Sequence, residues 1–197
     1  MEHNYDEMSS EDIMLYVSAG DKSALTVLID RHKNSVFSCI YRFVRNKDET
    51  HDLAQEVFLR VWRFAHKYQP TSSFTTWLYT ITANVCKTEV QSGWRRHIKL
   101  LGSFWPSADA ANDTCPEPLD KAPSPEDAAI ESERQRLVHA AIRSLSRKQR
   151  LALVLSRYEG LSYQEIATVL DCSVPAVESL LVRAKENLRK KLSPLRR

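Results

Sequence analysis

Apolar residues recur at steps of three, four and seven along most of this chain, and that spacing restricts the fold more than any other feature. A stripe of this kind covers one side of an α-helix and has to be buried against another element. The longest stripe comprises Leu25, Leu28, Ile29, Val36, Phe37, Ile40, Tyr41 and Val44. The 197 residues include four glycines, so the tight turns of a many-stranded β fold are scarce. The sequence therefore predicts an all-α protein.

Capping signals set the expected helix boundaries in the first half of the chain. Residues 9–12 read Ser-Ser-Glu-Asp and predict a helix start, Gly20 predicts its end, and Asp21 caps the helix that carries the long stripe. A third helix is expected from about Asp48 to Phe64, with Leu53, Val57, Val61 and Phe64 facing inward. A fourth is expected from Phe74 to about Trp94, with Trp77, Leu78, Ile81 and Val85 inward.

A segment without periodicity divides the chain. Residues 99–124 are rich in Ser, Ala, Asp and Pro, so we expect a flexible linker there. Order should resume at Ser124, an N-cap residue followed by Pro125 at the first helical position. The predicted organisation is two small helical domains, residues 1–98 and 125–197, on either side of this linker.

Charge alternates in four blocks. The net charge is −6 over residues 1–30, +7 over 31–100, −7 over 101–133 and +9 over 134–197. A basic block approaches a phosphate backbone favourably because it releases counterions, whereas an acidic block is repelled. We therefore expect the basic blocks to bind nucleic acid and the acidic block to lie elsewhere. Ordinary solvated surface charge is the alternative.

Several classes of protein are disfavoured. No apolar run approaches the roughly 18 residues of a membrane span, and the acidic start does not resemble a signal peptide, so a cytoplasmic or nucleoid-associated protein is expected. The four cysteines are far apart and form no C-x-x-C pair, which predicts ordinary reduced thiols. A Gly-rich phosphate loop, a His-Cys ligand set and a nucleophile with a base are all missing, so we predict no enzyme, catalytic residue, cofactor or metal. A metal-dependent nuclease is the remote alternative.

The end of the chain has the spacing of a helix-turn-helix over residues 162–181. Ser162 and Glu165 form a capping box, and the turn at Asp171 leads to a second helix that a basic run continues. This pattern is typical of a DNA-reading unit whose second helix enters the major groove; a hairpin that packs on another protein is the alternative. The candidate DNA-contacting residues are Ser173, Ala176, Glu178, Ser179, Arg183 and Lys185.

Two further polar patterns occur in the first half. Asp48, Asp52 and Glu56 share one face of the third helix with Gln55 beside them, and a cationic partner would relieve their mutual repulsion. Two other interpretations of these carboxylates remain open. In the first, they only interact favourably with the dipole at the start of the helix; in the second, they hold a metal ion together with His51.

Downstream, aromatic residues from Tyr68 to Trp94 alternate with cations. Aromatic side chains are most often part of a core, and Trp77 should be at least partly so. Aromatic faces beside cations are also what binding of a separated DNA strand requires.

These segments resemble a known family. Residues 52–62 (DLAQEVFLRVW) and 74–84 (FTTWLYTITAN) are similar to region two of the extracytoplasmic-function, or group four, bacterial sigma factors. Residues 160–167 (GLSYQEIA) and 177–185 (VESLLVRAK) are similar to region four. Their order, their spacing and the linker between them match over nearly the whole chain.

The resemblance implies a sigma factor that binds core RNA polymerase, recognises the minus-ten and minus-thirty-five promoter elements and promotes DNA melting. The clamp helices of the beta-prime subunit would be contacted by Asp48, Asp52, Gln55 and Glu56. The minus-ten element, with one flipped non-template base, would be contacted by Lys67, Ser72, Ser73, Phe74, Trp77, Tyr79, Asn84, Arg95 and Arg96. The helix from Ser173 to Lys185 would read the minus-thirty-five element.

The resemblance also implies further partners. Region four would sit on the beta-subunit flap, and the acidic linker would thread the polymerase cleft. Family members are commonly held by an anti-sigma factor linked to the inner membrane, so such a partner is expected. A stand-alone helix-turn-helix regulator, which would bind duplex DNA without polymerase, is the competing hypothesis.

Overall fold

The structure is a computed structural model that describes Tyr5, residues 7–70, 72–88, Arg134 and residues 136–193. Every regular element in this part of the chain is helical, which confirms the all-α prediction. The N-terminal unit consists of α1 (Ser10–Ser18), α2 (Lys22–Val44), α3 (Lys47–Phe64), a short 3-10 helix (Ala65–Lys67) and α4 (Phe74–Thr88). The C-terminal unit consists of α5 (residues 136–143), α6 (Arg147–Arg157), α7 (Tyr163–Leu170) and α8 (Val174–Lys191).

Capping residues begin and end the first helices as predicted. The Ser9 hydroxyl accepts a hydrogen bond from the backbone N–H of Asp12 at 3.1 Å, which starts α1. Gly20 follows α1 with a φ of +93°, a conformation that favours glycine. The Asp21 carboxylate then accepts from the N–H groups of Ser23 and Ala24 at 2.8 and 3.1 Å, and α2 begins.

The long apolar stripe of α2 forms the centre of the N-terminal unit, where it packs against α1, α3 and α4. Its buried side is rotated slightly from the prediction, because Phe37, Tyr41 and Val44 are only half-buried. Cys39 and Phe43 are buried instead. The physical reason is that four helices, α1, α3, α4 and α6, pack against α2, so the width of its buried face depends on its neighbours rather than on spacing alone.

The predicted inward position of Phe64 is wrong. Leu53, Val57 and Val61 of α3 are buried as expected, but Phe64 is 37% exposed. It is the last residue of α3, where the chain tightens into the 3-10 helix, and the ammonium group of Lys67 lies 5.6 Å from its ring centroid. A helix end changes direction, so the periodicity of the helix no longer fixes which way the side chain points.

The C-terminal unit is the predicted helix-turn-helix. Ser162 and Glu165 form both hydrogen bonds of the capping box at the start of α7. Asp171 ends α7 with a φ of 52°, and α8 begins after Ser173 with proline in its first turn. The core of the unit is made by α6, α7 and α8 and includes Leu151, Leu155, Ile166, Leu170, Val177 and Leu181.

The two units pack against each other, which the sequence did not predict. α4 lies against α7, and α2 lies against α6. Most of the buried apolar residues of both units belong to one continuous hydrophobic core. The expected linker, residues 99–124, lies outside the described residues, as do Ser124, Pro125 and the predicted end of the fourth helix near Trp94.

Candidate functional site

The acidic face of α3 is partly occupied by a residue of the same helix. Asp48 and Asp52 are exposed and Gln55 is half-buried. Glu56 is 7% exposed, and its Oε1 accepts a hydrogen bond from Nε of Arg60 at 2.6 Å. Arg60 lies four residues further along, so the cationic partner that Glu56 requires is internal. The surface open to another molecule therefore consists of Asp48, Asp52 and the edge of Gln55.

The metal alternative at this face finds no support in the geometry. The ring of His51 packs on that of Phe37, with centroids 4.8 Å apart. The described residues contain no group of three His, Cys, Asp or Glu side chains placed to hold a metal ion.

Three aromatic rings meet where the loop after the 3-10 helix enters α4. The ring of Trp77 lies 5.2 Å from that of Tyr68 and 6.0 Å from that of Phe74, measured between centroids. Trp77 is half-buried, as predicted, whereas Phe74 is 1% exposed. Phe74 is thus a core residue here, and Trp77 offers the accessible part of the cluster.

The start of α4 is held by α1 and α2, which the sequence did not predict. The Glu11 carboxylate accepts a hydrogen bond from the backbone N–H of Phe74 at 2.7 Å. The His32 ring packs on Phe74 at 5.1 Å, and its Nε2 lies 2.9 Å from Oγ of Ser10. Burial lowers the pKa of His32. No local pattern predicts these contacts, because Glu11 and Phe74 are 63 residues apart.

The remaining predicted minus-ten residues have different surroundings. Lys67, Ser72, Ser73 and Asn84 are exposed. The Ser73 hydroxyl accepts from the N–H of Thr76 at 3.2 Å and so caps α4. Arg95 and Arg96 lie outside the described residues.

Tyr79 is covered by the C-terminal unit. Its side chain is 3% exposed, and its hydroxyl donates a hydrogen bond to Oε2 of Glu159. Burial, followed by this hydrogen bond, raises the pKa of Tyr79 well above its usual range. One turn earlier, the Thr76 hydroxyl donates to Oε1 of Glu165 at 3.2 Å. This side of α4 is therefore not open to another molecule.

The predicted minus-thirty-five residues lie on the outward side of α8. Val177, Leu181 and Ala184 bury the opposite side. Ser173, Glu178, Ser179, Arg183 and Lys185 are exposed, and Ala176 is half-buried. All six predicted positions are brought onto one helix of the helix-turn-helix.

Comparison with known proteins agrees with this arrangement. The family described as Sigma-70 region 2 matches residues 28–96, and Sigma-70, region 4 matches residues 135–188. The chain is 35% identical to the RNA polymerase sigma-H factor of Pseudomonas aeruginosa, over 92% of each chain. It is 32% identical to the ECF RNA polymerase sigma-E factor of Escherichia coli K12, over 96% of this chain and 97% of that one.

The chain belongs to the extracytoplasmic-function (ECF) sigma factors. The family inferred from the sequence is thereby confirmed, and with it the function: this is a sigma factor that directs RNA polymerase to promoters. The N-terminal unit contains region 2 and the C-terminal unit contains region 4.

Solved structures share the fold of this sigma factor. CnrH in complex with the cytosolic domain of CnrY superposes with a TM-score of 0.66 and 21% identity, over 95% of this chain and 99% of that chain. The sigma factor RpoE in complex with the anti-sigma factor NepR, from Bartonella quintana, gives a TM-score of 0.62 and 20% identity, over 85% and 96%.

Two further properties of the described residues concern the cysteines and the hydropathy of the helices. Cys39, Cys86 and Cys172 form no disulfide bond with one another, and burial raises the pKa of the Cys39 thiol well above its usual range. None of the described helices combines the length and the apolar character needed to span a membrane.

Proposed function

We propose that this sigma factor binds core RNA polymerase through the exposed end of the acidic face of α3 and contacts promoter DNA through α4 and α8. The observation that carries the proposal is the outward side of α8. Five of its six candidate residues are exposed, while the side that holds the helix in place is fully apolar. A helix with one exposed polar side and one buried apolar side can enter a major groove and still remain packed against its own domain.

The minus-thirty-five element would be read by side chains near the start and middle of α8. Ser173 lies at the N-cap, where a helix N-terminus favours an anionic phosphate. Arg183 and Lys185 supply exposed cations further along. Glu178 is exposed between them and is suited to accept a hydrogen bond from a cytosine amino group.

The minus-ten element would be captured as a separated strand at the start of α4. Ser72 and Ser73 supply exposed hydroxyls there, and Trp77 supplies part of an aromatic face. Asn84 is exposed further along the helix, where its amide can bond to a base edge. Melting in this scheme is capture of an unstacked base, and the chain itself breaks no covalent bond.

Polymerase and regulatory partners complete the proposal. Asp48 and Asp52 would meet a basic surface of the beta-prime clamp helices, and region 4 would rest on the beta flap. The acidic block at residues 101–133 would lie in the cleft toward the RNA exit path, since DNA would repel it. We also propose that the protein is cytoplasmic and that an anti-sigma partner holds it at the inner membrane. RpoE, which shares the fold, was crystallised with the anti-sigma factor NepR, and this supports the existence of such a partner.

The decisive experiment combines purified core polymerase, this chain and a library of linear promoter templates in run-off transcription. We expect initiation from a subset of templates that core enzyme alone leaves silent. Good binding to core without initiation from any template would contradict the proposal. Tight, specific binding of duplex DNA by the chain alone would favour a stand-alone regulator instead.

Asn84→Ala tests the base-capture role within that assay. We expect slower promoter opening, measured by permanganate reactivity of unpaired thymines, with closed-complex formation nearly unchanged. Asn34→Ala is the matched control, because Asn34 is an exposed amide on α2, outside every predicted contact. Equal loss of opening and closed-complex formation would argue against a role for Asn84 at the flipped base.

A further inference from the structure

Basic side chains from both units meet where the end of α2 reaches the turn between α5 and α6. The guanidinium group of Arg150 on α6 donates hydrogen bonds to the carbonyls of Phe43 and Arg143, from Nη1 at 3.0 Å and from Nη2 at 2.6 Å. Arg45 follows Phe43 by two residues, and Arg147 is the first residue of α6. We use the name basic cluster for Arg45, His139, Arg143, Arg147 and Arg150.

The charges of the basic cluster repel one another. Burial, followed by the charges of Arg143 and Arg147, lowers the pKa of Arg150. Burial, followed by the charges of Arg45 and Arg143, lowers the pKa of His139. None of the four guanidinium groups forms an ion pair with a carboxylate of the described residues, and the buried Nε atoms of Arg45 and Arg150 have no acceptor there. An acidic partner would therefore stabilise the cluster.

The chain itself contains a partner of opposite charge. The acidic block, residues 101–133, has eight acidic side chains and one basic side chain, Lys121, and lies outside the described residues. Its net charge of −7 is larger than the combined charge of the four guanidinium groups. A partner tethered to the same chain acts at an effective concentration on the order of millimolar, whatever the concentration of the protein.

Both described ends of the chain that flank the acidic block lie near the basic cluster. The block ends directly before Arg134, and His139 follows five residues later, which is about 7.5 Å along a helix. On the other side, Lys87 is the last residue but one of α4. Burial, followed by the charge of Lys148, lowers the pKa of Lys87, so the end of α4 lies near the first turn of α6. The block can thus reach the cluster from either end.

We propose that the acidic block docks on the basic cluster of the same chain in the free protein. Its carboxylates pair with Arg143 and Arg147, which are exposed, and with the accessible edge of Arg45. Single exposed ion pairs are weak, so the docking depends on several of them acting together through the tether. Docking neutralises a cationic surface that otherwise attracts DNA of any sequence.

This inference goes beyond the proposed function and does not depend on the DNA contacts assigned to α4 and α8. The docking belongs to the free protein, because in the holoenzyme the same block is proposed to lie in the polymerase cleft. The experiment therefore uses the free, full-length chain.

Trypsin cleavage after Lys121 measures the docking, since Lys121 is the one basic residue of the acidic block. Cleavage is followed by mass spectrometry at about 0.1 M and about 1 M potassium chloride, between which the electrostatic screening length falls from about 10 Å to about 3 Å. A synthetic peptide of residues 113–129 corrects for the effect of salt on trypsin. Wild type should then be cleaved about three to ten times more slowly at the lower salt concentration.

The double variant Arg143→Ala, Arg147→Ala should lose this protection. At the lower salt concentration we expect it to be cleaved as fast as wild type is at the higher one. Arg143→Lys, Arg147→Lys keeps both charges and should keep most of the protection. Circular dichroism checks that each variant remains folded. Equal cleavage of wild type and the alanine variant at both salt concentrations would show that the inference is wrong.

The matched control is the double variant Arg63→Ala, Arg157→Ala, which removes the same charge from exposed positions on α3 and at the far end of α6. It should leave cleavage after Lys121 slow at the lower salt concentration. Acceleration as large as that of the Arg143→Ala, Arg147→Ala variant would mean that net charge, and not the basic cluster, controls access to the block, and would overturn the inference.

DNA is the competing occupant of the basic cluster. If the acidic block occupies the cluster, Arg143→Ala, Arg147→Ala should change binding of a fluorescent duplex of random sequence by the free chain by less than about twofold, since the two cations are already neutralised. Several-fold weaker duplex binding, together with unprotected Lys121 in wild type, would show that the cluster binds phosphates of DNA instead. The contacts proposed for α4 and α8 would be unaffected by that result.

Discussion

The two helices proposed to contact DNA differ in what the chain does with their functional side. α8 presents its candidate residues outward, while α4 turns Phe74 and Tyr79 inward and leaves Trp77 half-buried. The difference follows from chemistry. Groove reading uses small and charged side chains that water solvates well, whereas strand capture uses aromatic faces that are unfavourable to expose. A surface of the second kind is stable in a free protein when something covers it.

Covering the aromatic surface with another part of the same chain has a further consequence. The two units share one core, so the stability of α4, which carries the proposed minus-ten contacts, depends on region 4 as well as on region 2. Substitutions in each unit test how far the two units differ and how strongly they are coupled.

The largest expected effect is that of Phe74→Ala. Phe74 is 1% exposed, so truncation should lower the free energy of unfolding by about 3–5 kcal/mol. If the units share one core, thermal unfolding followed by circular dichroism should show one transition that shifts as a whole. Thr75→Ala, at the exposed neighbouring position, should change stability by less than about 0.5 kcal/mol. A separate transition at the wild-type temperature would show that region 4 unfolds independently.

Arg183→Ala tests the outward side of α8. A bidentate contact to a base would contribute about 1–3 kcal/mol, so holoenzyme binding to the minus-thirty-five duplex should weaken by that amount and lose preference at one base pair. Arg189→Ala, six residues further along α8, should instead weaken binding to all sequences alike. Competition titrations with single-base variants of the duplex measure both effects. Unchanged affinity and preference would remove Arg183 from the DNA-contacting set.

Glu11→Ala tests the support of α4 from α1. Loss of the acceptor for the Phe74 N–H should cost about 1 kcal/mol of stability, the usual effect of removing a helix cap. Binding of the minus-ten strand by the holoenzyme should weaken, while binding of the minus-thirty-five duplex should not change. Glu11→Gln keeps an acceptor and should restore most of both losses. If Glu11→Gln is no more stable than Glu11→Ala and binds the strand no more tightly, the side-chain oxygen is not what supports α4 at this position.

The smallest expected effects concern the two non-glycine residues with positive φ, one in each unit. Arg45 ends α2 at φ 59° and Asp171 ends α7 at φ 52°. Arg45→Gly should raise the free energy of unfolding by about 0.5 kcal/mol. The substitution relieves roughly 1–2 kcal/mol of backbone strain in the folded state. The greater conformational entropy of glycine stabilises the unfolded state by only roughly 0.5–1 kcal/mol, so the relief of strain is the larger effect. Asp171→Gly should be nearly neutral, because aspartate enters this region more easily. Urea titration distinguishes the two; equal gains would contradict the reasoning.

Most helix boundaries could be predicted because their causes are local. Ser9, Asp21 and Ser162 each bond to backbone groups two or three residues away, so the signal and its effect lie in the same short segment. The candidate site was predictable to the same extent: the exposed positions of α8 follow from helical spacing once the apolar side is known. Phe64 was predicted wrongly because a helix end does not obey that spacing.

The amino-acid sequence by itself determined the all-α fold, the helix-turn-helix and membership of the ECF sigma factors, because periodicity, caps and motif spacing are properties of short segments. Tertiary structure alone decided that Phe74 takes its cap from Glu11. It also decided that Tyr79 lies beneath Glu159. Each of these outcomes depends on which of several suitable partners reaches a given face, and that choice is made by the packing of helices far apart in the chain.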